Sequence, residues 1–356
     1  EEMALWLEKE ILPKAENNYA LGRETYLEML RTQERFDYSL DQLRAMGRDE
    51  LARLQKEYKE TAAQIDPDKT PQEVTRMISE DHPSRDELVP FTASELDALK
   101  RQVVEHDLVT IPEGAGATVQ ASPTFRRWNT AYIMTPGPFD PPSVQAIYFI
   151  SPGEVDLTPK QVEAWLRSNN QYLVRNISVH EVYPGHYVNS LYIRNAATLI
   201  RKMEWSYAFG EGWAHYTEEL FAENIYATQF PRYRLAQIQD ALLRVCRYIT
   251  SIGLHTQGWS IEEGTKFFME NAYVEEVLAR QQTIRGTFDP GYLLYTLGKL
   301  YIKQMREDYR KKMGENFTLK DFHEALLQYG NPPLPMVRAR LLGESFGEHE
   351  LNGPES

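Results

Sequence analysis

Cysteine is nearly missing from this chain of 356 residues: Cys246 is the only one. No disulfide can close within the chain, and a thiolate metal cluster is excluded. The flanking Leu243, Arg244, Val245 and Arg247 read as helix, with Cys246 as a small buried hydrophobe. Basic charge is also short, since 39 Lys and Arg against 52 Asp and Glu leave a net charge of -13 and a pI near 5.2. Phosphate binding needs a basic patch, so nucleic acid is not expected as a partner. No apolar run approaches the roughly eighteen residues of a membrane-spanning helix, and internal repeats and low-complexity tracts are lacking. What is present suffices for a packed globule, because 42% hydrophobic and 12% aromatic residues argue against disorder. The length allows one extended domain, 1–356, or two lobes. Nothing in the composition fixes an oligomeric state.

Helical periodicity dominates. Leu5, Leu7 and Ile11, then Tyr26, Met29 and Leu30, carry the pattern through residues 1–63, and Asp66-Pro67-Asp68 with Thr70-Pro71 breaks it and starts the next helix. The stretch 111–158 is different. Gly114, Gly116, Pro123, Pro136, Pro138, Pro141 and Pro142 make it irregular, with short strands at Ala131–Met134 and Gln145–Ile150. From Pro159 the pattern is helical to about residue 330, with breaks near Pro231, Gly258 and Pro290, and Asn331-Pro332-Pro333-Leu334-Pro335 ends it. The expected division is thus 1–110, helical, 111–158, irregular with short strands, and 159–356, helical and carrying the candidate metal site, within one domain or two lobes. The fold class expected is mainly α, with a small β-sheet near the cleft.

The chemistry is concentrated in His180-Glu181-Val182-Tyr183-Pro184-Gly185-His186. Neutral imidazoles suit Zn²⁺, and a catalytic site takes three protein ligands and leaves a position for water. A neighbouring carboxylate such as Glu181 can then act as base. Histidines four apart lie about 40° from each other on a helix, whereas six apart they diverge by about 120°, so an unbroken helix could not offer both to one ion. Pro184 removes the objection: it cannot bond the carbonyl of His180, so the helix must bulge or restart. Gly185 supplies the freedom to bring His186 round. The competing reading is a histidine that merely caps a helix beside a Tyr-Pro-Gly turn.

A third ligand is available downstream. In Gly210-Glu211-Gly212-Trp213-Ala214-His215-Tyr216-Thr217-Glu218, the apolar Phe209, Trp213, Tyr216 and Leu220 form one face, and Glu211, His215 and Glu218 another. That second face is either a solvated stripe or a ligand stripe. Gly210 and Gly212 around Glu211 suggest a close approach and favour the latter. Glu211 is then the third ligand, with His215 and Glu218 orienting the imidazoles. Arg285 either binds a substrate carboxylate bidentately or makes a surface ion pair.

These motifs, with Gly253-Leu254-His255, Pro290-Gly291 leading to Tyr295 and Gly298, Pro136-Gly137-Pro138-Phe139, and Leu21-Gly22-Arg23-Glu24-Thr25-Tyr26, resemble the bacterial domain-of-unknown-function family 885 (DUF885) over nearly the whole chain. The resemblance implies a zincin-like helical metallopeptidase related in layout to the carboxypeptidase Taq, thimet oligopeptidase and angiotensin-converting enzyme families. It implies that Tyr295 and His255 stabilise the oxyanion. The chain departs from the family pattern at Tyr292, where many members have Gln, and at Ser251, where many have Asp. These departures bear on substrate preference, and Tyr292 joins Arg285 as a candidate substrate contact. Exported relatives imply a periplasmic or extracellular location, and their greater length implies a preceding helical region.

The expected function is therefore hydrolysis of a peptide by one Zn²⁺ held by His180, His186 and Glu211, with Glu181 as base. A non-peptide amide or ester is the second substrate reading. A helical binding protein with a structural ion, or none, is the third. In zincins an edge strand beside the metal helix binds substrate backbone, and Gln145–Ile150 is the strand expected to do so, unless the sheet merely packs.

Overall fold

Capping residues and prolines set the helix boundaries. In the computed structural model, which describes residues 2–16, 18–226 and 230–344, α1 (Arg23–Glu34) precedes α2 (Leu40–Ile65), whose Ser39 and Gln42 form a capping box. The predicted break then intervenes. Thr70 and Glu73 cap α3 (Pro71–Ser79), and α4 (Leu88–Glu105) leads into the irregular stretch.

Three short strands follow, β1 (Ala117–Ala121), β2 (Ala131–Met134) and β3 (Ala146–Ile150), in the order β1-β3-β2. β1 runs parallel to β3 and β2 antiparallel to it. β1 was not foreseen, being a five-residue run with only Thr118 and Val119 to mark it. More important, β3 is the central strand. Both of its edges are paired, so the substrate-binding role expected of Gln145–Ile150 cannot be its own, and β2 holds a free edge instead.

The remaining chain is helical: α5 (Pro159–Ser168), α6 (Gln171–Glu181), α7 (His186–Arg194), α8 (Tyr207–Phe221), α9 (Pro231–Thr256), α10 (Ile261–Ala272), α11 (Glu276–Phe288), α12 (Leu294–Met313), α13 (Leu319–Leu327) and α14 (Leu334–Leu342). Pro159 and Pro231 open their helices, where a missing N–H costs nothing. The prolines at 332–335 do the same. They were expected to end the helical region, yet they introduce α14. Residues 345–356, the end of the expected last lobe, lie outside the described residues.

One hydrophobic cluster draws on residues from Tyr26 to Leu341 and includes Tyr148 of the sheet, Val179 and Val182 of the histidine segment, and Trp213. A second joins α2 and α3 to α9 through Tyr58, Val74 and Leu242. Cys246 is fully buried in it, as a small hydrophobe should be.

α8 is buried almost all round. It packs on α12 through backbone contact, because a Cβ on Gly212 would lie 2.6 Å from Gly298 Cα, and one on Gly298 would lie 2.0 Å from the carbonyl oxygen of Ala208. Charge then locks the pair. Lys299 of α12, fully buried, contacts Glu50 of α2 at 2.6 Å and Glu219 of α8 at 3.1 Å, and Arg53 reaches both carboxylates. At the start of α8, Glu34 of α1 accepts from Ser206 Oγ at 2.5 Å and the Tyr207 amide at 2.9 Å. Gly212→Ala is expected to force α8 and α12 apart at a cost of about 1–3 kcal/mol. The check is a lowered urea midpoint at unchanged slope; a wild-type midpoint would show that the helices are not in backbone contact there.

Candidate metal centre

α6 ends at Glu181, and the chain turns through Val182–Gly185 before α7 restarts at His186. The Tyr183-Pro184 peptide is cis. The Gly185 amide donates to the carbonyl of Val179 at 3.0 Å, which folds the turn back onto α6. Gly185 has φ -69° and ψ -131°, a combination outside the regions open to residues with a Cβ, so the conformational freedom expected of it is used. Space is a second requirement: a Cβ there would sit 1.7 Å from the His180 carbonyl oxygen. Trp213 of α8 pins the turn from the other side, its indole N–H donating to the carbonyls of Pro184 at 2.9 Å and Gly185 at 3.3 Å. The two imidazoles end 4.7 Å apart, centroid to centroid, with planes at 89°.

Glu211, in the first turns of α8, closes the triangle. Its Oε2 lies 3.3 Å from His180 Nε2 and 3.3 Å from His186 Nε2, and one ligand atom from each residue falls within 4.8 Å of the others. In a tetrahedral zinc site with bonds of about 2.0–2.1 Å, ligand atoms stand about 3.3–3.4 Å apart. Oε2 of Glu211 is buried and accepts no hydrogen bond, although two ring nitrogens face it. An orphaned anion between two imidazoles is the donor set that a divalent cation satisfies. The residues fit the ion.

Glu218 fixes the orientation of His180. Its Oε1 takes the Nδ1–H of His180 at 2.6 Å, which leaves Nε2 to face Glu211 and to offer its lone pair when an ion replaces its proton. Both Glu218 oxygens are fully engaged, by Arg244 at 3.1 and 3.2 Å, Asn176 at 3.3 Å and His215 Nδ1 at 3.3 Å. Burial opposes ionisation of Glu218, yet Arg244, with hydrogen bonds from His180 and His215, holds its carboxyl well below the usual range. Burial lowers His215 to about 4, Lys299 adding to the effect, so His215 is a neutral partner of Glu218. Burial likewise opposes the charge on His180, but Glu211 and Glu218 raise it to about 10.

Glu181 faces the sheet. Its Oε2 accepts the backbone N–H of Ile133 in β2 at 3.2 Å. The carbonyl of Thr130 accepts from Ser151 N, and the alternation of an antiparallel ladder then turns the amides of Ala131 and Ile133 toward the free edge. Burial raises the Glu181 carboxyl above its ordinary value, and Glu211 adds to that while His186 and His180 oppose it.

The other expected site residues divide into near and far. Tyr295 stacks on His180 at 6.3 Å, and its hydroxyl accepts from Arg285 Nη2 at 3.4 Å. Burial, then Glu211, raises its hydroxyl. Arg285 is held by Asp289, with Nε at 3.0 Å and Nη2 at 2.9 Å from Oδ2. Tyr292 is fully buried against Gly286, with its hydroxyl unpartnered. His255 is buried too, its Nε2 bonding the carbonyl of Gly286 at 2.8 Å and its ring stacking on Tyr26. Among the described residues, neither contacts His180, His186 or Glu211. Ser251 bonds the hydroxyl of Tyr26 and the carbonyl of Pro290.

Residues 1–341 match the family described as bacterial protein of unknown function, DUF885. The chain belongs to that family. Two solved structures share its fold: a candidate lipoprotein of unknown function from Shewanella oneidensis, at 24% identity and a TM-score of 0.83, and a candidate lipoprotein from Colwellia psychrerythraea, at 21% and 0.82. Each alignment covers 96% of this chain, but the chain spans only 62% and 59% of theirs. No curated protein matches.

Sequence reasoning about this family member missed Arg244, Asp240 and Asn176. Arg244 pairs with Asp240 at 2.6 Å, and Asn176 bonds Asp240 at 3.0 Å, so the three complete the shell behind Glu218. A signal existed: Asn176 precedes His180 by one helical turn, and Asp240, Arg244 and Arg247 follow one another at helical spacing as a charged stripe. Glu218→Gln is expected to weaken zinc retention about 10–100-fold by loosening His180. Competition with a chelating dye measures it; an unchanged affinity would show that His180 does not depend on Glu218.

Proposed function

We propose that this DUF885 protein binds one divalent cation, zinc by donor type, through His180, His186 and Glu211, and that Glu181 makes the site a hydrolase of amide or ester bonds. The observation that carries the reading is Glu211 Oε2, buried, unbonded and equidistant at 3.3 Å from two imidazole nitrogens, with Glu181 next along the chain from His180. When bound, the ion would supply Lewis acidity and an acidified water.

The chain's own residues supply the rest of the chemistry. Glu181 is the proton acceptor, oriented by the amide of Ile133. Tyr295 is the donor for negative charge developing on the carbonyl oxygen, its hydroxyl polarised by Arg285. Glu218 holds His180, and Arg244 keeps Glu218 ionised. His255, engaged with the carbonyl of Gly286, is read as a packing residue rather than an oxyanion donor. An extended substrate runs along the free edge of β2, where Ala131 and the carbonyl of Ile133 present backbone groups, the Ile133 amide being held by Glu181. A peptide is the narrower substrate reading, favoured by that edge. Export is proposed from the two relatives named as lipoproteins, and the native protein is expected in the periplasmic or extracellular fraction.

A second reading, a helical binding protein with a structural ion, has one observation behind it. Cavities of about 520 and 450 Å³ lie by Tyr192 and Tyr309 and by Tyr172 and Arg232, away from the three ligands. Glu181→Gln separates the two. Zinc content is expected to stay at one ion per chain while hydrolysis of a panel of peptides, acyl amino acids and esters falls about 10²–10⁴-fold. Wild-type rates in that variant would remove Glu181 as base, and a wild-type protein that retains zinc but cleaves nothing would establish the second reading.

A further inference from the structure

Three arginines surround the ring of Tyr295, with guanidinium carbons at 5.9 Å for Arg244, 5.4 Å for Arg247 and 5.8 Å for Arg285. Two are neutralised. Arg244 is committed to Asp240 and Glu218, and Arg285 to Asp289. Arg247 differs. Its Nε donates to the side-chain oxygen of Gln282 at 2.7 Å, and among the described residues no carboxylate lies within ion-pair distance of it. Its two terminal amino groups donate to no protein acceptor, and they are not among the side-chain groups sealed from solvent. The residue is only partly exposed.

A guanidinium in that position is costly. Burial lowers its pKa, and Arg285 and Arg244 lower it further, with Tyr295 and Asp240 opposing them. Removing a cation from bulk water without a counter-ion costs on the order of several kcal/mol, and one hydrogen bond to Gln282 with a contact to the Tyr295 ring is what the protein supplies in return. An anion arriving from solvent would find two free N–H groups in fork geometry and no competing carboxylate. It would also lie near His180, since both Arg247 and that imidazole lie against the ring of Tyr295.

We infer that Arg247 receives a free carboxylate adjacent to the scissile bond, so that the substrate class is an N-acyl amino acid, a peptide with its C-terminal residue included. Arg285, suggested by the sequence for this task, is occupied by Asp289 and acts on Tyr295 instead. The substrate assignment rests on the hydrolase reading; the binding site does not. In the reaction, the amide C–N bond breaks, the water oxygen bonds the acyl carbon, one water proton passes through Glu181 to the leaving nitrogen, and the products are a carboxylic acid and a free amino acid.

The test is calorimetric titration with N-acetyl-leucine and N-acetyl-leucinamide, which differ only in the charge at the carboxyl end, on zinc-saturated and on chelator-treated protein. The acid is expected to bind about ten- to hundredfold more tightly than the amide in both preparations. Arg247→Gln is expected to abolish the preference, and Arg247→Lys to keep part of it. Equal binding of acid and amide by the wild type overturns the inference without recourse to any variant. So does a preference that vanishes with the zinc, which would place the carboxylate on the ion, or one that survives Arg247→Gln. Turnover enters none of these readings, so a protein that fails to hydrolyse anything leaves the outcome legible.

Discussion

Gly185 lies against the carbonyl of His180 at a distance that admits no side chain, and the site depends on that contact. Six residues of helix would carry His186 about a third of a turn away from His180. Ending α6 at Glu181, folding Val182–Gly185 back over it and restarting at His186 brings the two Nε2 atoms to the same carboxylate oxygen. Trp213 donates to the turn from the helix that carries Glu211, so one residue of α8 positions the two imidazoles while another supplies the carboxylate between them. α8 is itself fixed by Gly212 on Gly298 and by Glu34 at its first turn. Packing therefore reaches the site as geometry, through backbone contacts that tolerate little movement.

Electrostatics divides this interior into satisfied and unsatisfied charge. Glu218 meets four donors, and Lys299 sits between Glu50 and Glu219. These clusters need no ligand. Glu211 Oε2 is buried without a partner, and the terminal amino groups of Arg247, open to solvent, donate to no protein acceptor; on the reading proposed above, the first takes a cation and the second an anion. Buried groups are normally paired, which makes unpaired ones informative. A substrate that carries a carboxylate beside a polarisable carbonyl would engage both.

The histidine motif and the Glu211 helix were legible because they combine chemical type with spacing: two imidazoles, a helix breaker between them, and a carboxylate set between glycines. The break before Thr70 and the helix starts at Pro159 and Pro231 followed from capping chemistry. Other features could not be read from one dimension. Which strand is central depends on pairing between distant residues, so Gln145–Ile150 passed for an edge when Ala117–Ala121 and Ala131–Met134 are the edges. His255 and Tyr292 have residue types suited to catalysis, but the packing of α9 on the segment at Pro290 buries them away from the ligands. The prolines before α14 begin a helix or end one depending on what lies beyond them.

The decisive observation is an anomalous-scattering map at the zinc edge from crystals grown with zinc. A single peak is predicted about 2.0–2.2 Å from His180 Nε2, His186 Nε2 and a Glu211 carboxylate oxygen, with the fourth position open and Glu181 beside it. A map with no peak between these side chains, or with a peak closed by a fourth protein ligand, would contradict the metal-dependent hydrolase.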